Sequence, residues 1–102
     1  MRGWANAYIE KLKQGETVQF RPRGNSMVPI IKSGQEVTVS PIDRKIVEGD
    51  VVLCQVKGKQ WLHLVTGVRK QGASYQISNN KGHVNGWTTR DKLYGVVVEV
   101  GD

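Results

Sequence analysis

The chain has a single cysteine, Cys54, among its 102 residues. One thiol can form neither an intrachain disulfide nor a cysteine-based zinc cluster, so the fold must rest on burial and hydrogen bonding alone. A reducing compartment suits such a chain, and the cytoplasm is the expected location. Long hydrophobic runs are also missing. The longest is the four residues Val51-Val52-Leu53-Cys54, against the roughly 20 apolar residues that a membrane-spanning helix needs. The N-terminal Met1-Arg2-Gly3-Trp4-Ala5-Asn6 has one basic residue and no apolar block of signal-peptide length. Three prolines make no Pro-rich linker, and no internal repeat or low-complexity tract occurs. Glycine patterns of phosphate loops and dinucleotide sites are absent. Cys54, His63 and His83 do not fall at a recognised metal-ligand spacing, so neither metal nor cofactor is expected.

Acidic residues are scarce as well: nine Asp and Glu stand against fifteen Lys and Arg, a net charge of +6. Lys11, Lys13, Arg21, Arg23 and Lys32 crowd the first third, and Lys57, Lys59, Arg69 and Lys70 the middle. Such a surface reads either as a contact for nucleic acid or an acidic protein, or as a solvated basic face. With no Arg-rich block and no RNA-binding signature, nucleic acid is the less favoured partner.

What is present suffices for one domain with one core, over residues 1–102. Residues 3–13 have helical spacing, with Trp4, Tyr8 and Leu12 every fourth position and Ile9 beside them. Gly15 is placed to cap the end of that helix, which fills the N-terminal fifteen residues. Alternating or β-rich runs follow at 17–21, 36–40, 50–56, 61–68, 74–78 and 93–100, within a β core over 17–100. Turn residues separate them, and Lys57-Gly58-Lys59-Gln60 between two such runs predicts a hairpin. Residues 26–32 suit a short helical turn with Pro29 in its first turn. The expected fold is mainly β: an antiparallel coiled or barrel-like sheet of about six short strands with one short N-terminal helix. Trp4 and Trp61 read as core residues. Trp87 falls in a Gly-Trp-Thr turn, and His83 in a polar loop.

Ser26, in Gly24-Asn25-Ser26-Met27-Val28-Pro29, is the first candidate for chemistry. A serine hydroxyl becomes a nucleophile when a neighbouring base accepts its proton, and a turn opening there offers backbone N–H groups to an oxyanion. On local sequence alone, a helix-capping pair with no catalytic role is the better reading of Asn25 and Ser26. His63, in Trp61-Leu62-His63-Leu64-Val65, is a candidate base because imidazole titrates near neutrality. It also reads as a half-buried strand histidine satisfied by hydrogen bonds. His83 is the fallback base, and Asp50, after Gly49, reads as a turn cap.

The serine segment resembles the Ser-Met-x-Pro box of signal peptidases and LexA-type self-cleaving repressors. Gly34-Gln35-Glu36-Val37-Thr38-Val39 is similar to the family's Gly-Asp-x-Val-x-Val strand, and Gly49-Asp50-Val51-Val52 to its Gly-Asp-Val-Val segment. His63 falls where the family has its base, in the histidine form of archaeal and eukaryotic signal peptidases. Asp91-Lys92-Leu93-Tyr94-Gly95-Val96-Val97 is similar to the closing Tyr-Gly-x-Val segment. The likeness runs in order over residues 24–98. It implies a LexA- or signal-peptidase-like fold with Ser26 as nucleophile and His63 as base. It further implies Asp91 as the acid orienting His63, and Gly24, Asn25, Met27 and Pro29 around the oxyanion and substrate. Asp91 reads otherwise as an exposed turn residue. Gln35 stands where the family has aspartate, Ile77-Ser78-Asn79-Asn80 lacks the acid of the Gly-Asp-Asn segment, and no Ala-Gly dipeptide precedes Ser26.

The function expected from this likeness is a soluble serine endopeptidase without a membrane anchor, processing a polypeptide in trans. The alternative is an inactive member of the same fold. It would be a basic regulatory module for nucleic acid or an acidic protein, of the kind a phage or other mobile element encodes.

Overall fold

A computed structural model describes residues 3–102; the first two residues of the expected N-terminal helical segment lie outside the described residues. Helix α1 runs over Asn6–Lys13. It ends as the glycine predicts: Gly15 takes φ +86°, its N–H bonds the Leu12 carbonyl, and the Glu16 N–H reaches back to Lys11, closing a Schellman motif. Among the described residues, no helix is long and apolar enough to cross a membrane.

Seven strands follow: β1 Val18–Phe20, β2 Glu36–Ser40, β3 Val51–Val56, β4 Lys59–Arg69, β5 Ser74–Ser78, β6 Val84–Thr89 and β7 Leu93–Gly101. They form one antiparallel sheet in the order β1-β2-β7-β3-β4-β5-β6. The protein is mainly β, as expected, with the sheet coiled but not closed into a barrel. Lys57 and Gly58 make the β3–β4 turn, both with positive φ, and Val56 pairs directly with Lys59. That is the two-residue hairpin whose twist suits the flanking strands.

Three local expectations are corrected. Strand β6 lies where a polar loop was read. Asn85 and Gly86 mask its β character, and the main-chain pairing with β5 overrides weak local preference. Trp87 therefore sits in a strand, where the Arg69 guanidinium lies 3.9 Å over its ring. Residues 26–30 form turns without becoming helical, and the Val28–Pro29 peptide is cis.

The sheet divides the core into two clusters. Val51 and Leu53 of β3 join Ile9, Leu12, Phe20, Met27, Val37 and others on the face that α1 covers. Val52, Cys54 and Val56 join Ile46, Val65, Tyr75, Ile77 and Val96 on the other. Buried on both sides, β3 reads as a continuous apolar run rather than an alternating one. Burial pushes the Cys54 thiol up to about 12, so it is a packing residue with no thiolate chemistry.

Helix α1 meets β7 at Gly95. A Cβ there would lie 2.6 Å from Val39 Cγ1, 2.9 Å from Leu12 Cδ1 and 3.0 Å from the Ser40 carbonyl. Gly95→Ala is expected to lower unfolding stability by about 1–3 kcal/mol through overpacking, as read from the midpoint of urea denaturation.

Candidate active site

The turn carrying Ser26 is anchored from beneath and from the side. Met27 and Ile31 are buried in the α1-side cluster, and the Ile31 N–H bonds the Met27 carbonyl at 2.9 Å. Gly24, at φ +109°, donates its N–H to Ser33 Oγ at 3.1 Å. Asn80 then grips the turn twice. Its backbone N–H donates to the Ser26 carbonyl at 2.8 Å, and its Nδ2 donates to the Val28 carbonyl at 3.0 Å. The Ser26 N–H itself donates to no other group among the described residues and is available to an oxyanion.

His63 is on β4, 5% exposed. Period-two alternation puts it on the same face as Trp61, whose ring stacks on the imidazole at a centroid distance of 4.9 Å. Its Nε2 lies 3.1 Å from Ser26 Oγ, and its Nδ1 lies 2.6 Å from Asn85 Oδ1. An amide oxygen only accepts, so Nδ1 bears the proton and donates it to Asn85. Nε2 is left with its lone pair toward the Ser26 hydroxyl, the tautomer that a general base requires. Burial holds the imidazole below its ordinary value. The bond to Asn85 opposes that shift, and nearby His83 adds to it.

Asn85 was not among the residues that the sequence singled out. It occupies a β-bulge: Ser78 pairs with Val84 and Ile77 with Gly86, leaving Asn85 unpaired between them. A bulge re-aims the side chain of the extra residue. Gly86 makes this one possible. It adopts φ +142°, and a Cβ there would lie 3.1 Å from Val56 Cγ1, where β6 curls back over β3. Thr88 Oγ1 holds that curl by donating to the Gln55 carbonyl at 2.8 Å. The only visible signal in the sequence was an amide next to a glycine.

Asp91 does not take the orienting position. Its carboxylate is exposed at the start of the turn preceding β7 and accepts from Thr89 Oγ1, which holds it below the usual carboxylate range. His83 is likewise exposed, with its backbone N–H on Asn79 Oδ1. Asp50 is the turn cap expected of it: it accepts the Val47 N–H at 2.9 Å and pairs with both terminal nitrogens of Arg44.

Ser26 and His63 open on a cleft of about 690 Å³. Gly24 and Met27 line it; Asn25 and Pro29 do not and shape the turn instead. Trp4 and Trp61 line it as well; Trp61 packs half-buried against the second core cluster, whereas Trp4 is not the core residue expected. Trp4 is 52% exposed, because its indole N–H donates to the Gln60 carbonyl at 3.2 Å and keeps the ring at the rim.

With this geometry, the sequence pattern of the family described as Peptidase S24-like matches residues 4–98. The chain belongs to the Peptidase S24-like family. No curated protein matches it. The match spans both the serine turn and the strand bearing His63, in agreement with the likeness read from the five ordered segments. In this Peptidase S24-like domain, the group touching the outer nitrogen of the histidine is an amide and not a carboxylate.

Two outcomes are expected. Asn85→Ala frees the imidazole to take either tautomer and should slow reaction of Ser26 with an alkyl fluorophosphonate by about tenfold or more, the worth of one good buried hydrogen bond. Because His63 must be neutral to act, the acid limb of that reaction should have its midpoint below pH 6.5, the ordinary imidazole value. The linked effect on stability has a definite sign. The unfolded chain binds the His63 proton more readily, so stability is full above about pH 6.5 and declines as pH falls below it. Denaturant titrations at pH 7 and pH 5 should show a smaller decline for His63→Gln than for the wild type.

Proposed function

We propose that the protein is a serine endopeptidase acting in trans on a polypeptide, with Ser26 as nucleophile, His63 as general base and acid, and Asn85 as the residue orienting His63. The observation that carries this reading is the relay from Ser26 Oγ, 3.1 Å from His63 Nε2, to Asn85 Oδ1, 2.6 Å from His63 Nδ1. Ser26 Oγ attacks the scissile carbonyl carbon while Nε2 takes its proton. The Ser26 N–H stabilises the resulting oxyanion. Collapse expels the amine, which receives the proton from His63, and leaves an ester on Ser26. Water, deprotonated by the now neutral His63, attacks that ester; its collapse returns the proton to Ser26 Oγ and releases the carboxylic acid product.

The test is labelling by an alkyl fluorophosphonate, read by intact mass. The wild type should gain one adduct, Ser26→Ala none, and His63→Ala should react about 10² to 10⁴ times more slowly, the usual contribution of a positioned base. An unlabelled wild type, or equal labelling of Ser26→Ala, would overturn the proposal and leave the cleft as a binding site.

A further inference from the structure

One wall of the cleft is built by the segment that precedes α1, and its tie to the sheet is specific. Gln60 Oε1 accepts the Ala5 N–H at 3.0 Å, Gln60 Nε2 donates to Asn6 Oδ1, and the Gln60 carbonyl accepts the Trp4 indole N–H at 3.2 Å. Gly3 lies so close to this glutamine that a Cβ would fall 2.1 Å from Oε1. Gln60 stands three residues before His63 on the same strand, so the wall and the base are held in one frame. Trp4 meets Phe20 edge-on at 5.7 Å, and Tyr8 stacks on Phe20 at 4.4 Å. With Trp61 also in the lining, the cleft is aromatic, yet Trp4 keeps half its surface in water.

The charge of this cleft has one sign. Arg21 and Arg23 line it, and no acidic residue does. Arg21 is engaged with the Gly34 and Asp102 carbonyls. Arg23 is exposed and has no side-chain hydrogen bond or ion pair among the described residues.

We infer that the Trp4–Tyr8–Phe20 wall and Arg23 form a substrate subsite for a polypeptide bearing a bulky apolar side chain flanked by acidic residues. The inference rests on the peptidase reading and names its substrate class. A large apolar side chain covers the exposed indole face, and the stacked Tyr8 and Phe20 give it a rigid backing that loses little entropy on binding. An acidic neighbour meets the exposed Arg23 guanidinium, whose charge-assisted hydrogen bonds fit a carboxylate. A small side chain would leave the wall wet.

The experiment uses the full chain with Ser26→Ala, which removes cleavage, and dye-labelled peptides Gly-Ser-Glu-Phe-Glu-Ser-Gly, Gly-Ser-Glu-Ala-Glu-Ser-Gly and Gly-Ser-Lys-Phe-Lys-Ser-Gly, read by fluorescence anisotropy. The Phe peptide with Glu flanks should bind about tenfold or more tighter than its Ala counterpart, as burial of one aromatic side chain implies. It should also bind tighter than the Lys-flanked peptide, with that margin shrinking as salt is added. Adding Trp4→Ala should abolish the preference for Phe and spare the preference for Glu, whereas Trp4→Phe should retain both. Adding Arg23→Gln should do the reverse of Trp4→Ala. Equal binding of the Phe and Ala peptides, or a preference that survives Trp4→Ala, would overturn the inference. Fluorophosphonate labelling of the wild type separates the two claims: preference without labelling keeps the subsite and removes the peptidase, and labelling without preference does the opposite.

Discussion

A histidine can relieve a serine of its proton only if its lone pair, and not its N–H, faces the hydroxyl. In this protein that choice is made by an acceptor on another strand, the Asn85 amide oxygen at 2.6 Å from His63 Nδ1. The rest of the site depends on it. Were Nδ1 unpartnered in its buried position, the imidazole would be free to turn its proton toward Ser26, and the 3.1 Å contact would become an ordinary hydrogen bond with no catalytic sense. The geometry that supplies Asn85 is a bulge, and the bulge needs Gly86.

The β5–β6 hairpin therefore serves both partners of the pair. From its turn, Asn80 holds the Ser26 and Val28 carbonyls; from its second strand, Asn85 holds His63. Asn79 stabilises the turn between them by accepting the Lys81 and His83 N–H groups on its Oδ1. Ser26 and His63, 37 positions apart in sequence, are thus set by one short element. The curl of β6 over β3 keeps that element in place, because the strand is pinned at Thr88 and packed at Gly86.

An amide in the orienting position has electrostatic consequences. A carboxylate there would stabilise the imidazolium that forms during proton transfer, and would also place a charge in a poorly solvated pocket. Asn85 orients without that charge, so burial prevails over the hydrogen bond and holds the imidazole below its ordinary value. The cleft outside is cationic and aromatic. The site thus combines an uncharged Ser26–His63–Asn85 hydrogen-bond chain with a positive rim formed by Arg21 and Arg23.

Much of the scaffold was legible from local pattern. Alternation at 36–40, the Lys57-Gly58 hairpin, the Gly15 cap and the apolar run of β3 each express backbone rules that act within a few residues, and each appears in the fold. The serine box and His63 were legible too, though their meeting across 37 positions was an inference from likeness. Strand β6 was not legible, since Val84-Asn85-Gly86-Trp87 is a strand only because β5 lies beside it. Asp91 was a reasonable acid by position, yet its side chain ends in water. Trp4 had helical spacing and the look of a core residue, but its indole N–H found Gln60, 56 positions away. The division has one physical reason. Sequence periodicity determines which face of an element is apolar, whereas a bulge displaces the register by one residue and reverses where a side chain points. The residue that orients His63 was therefore decided by tertiary structure alone.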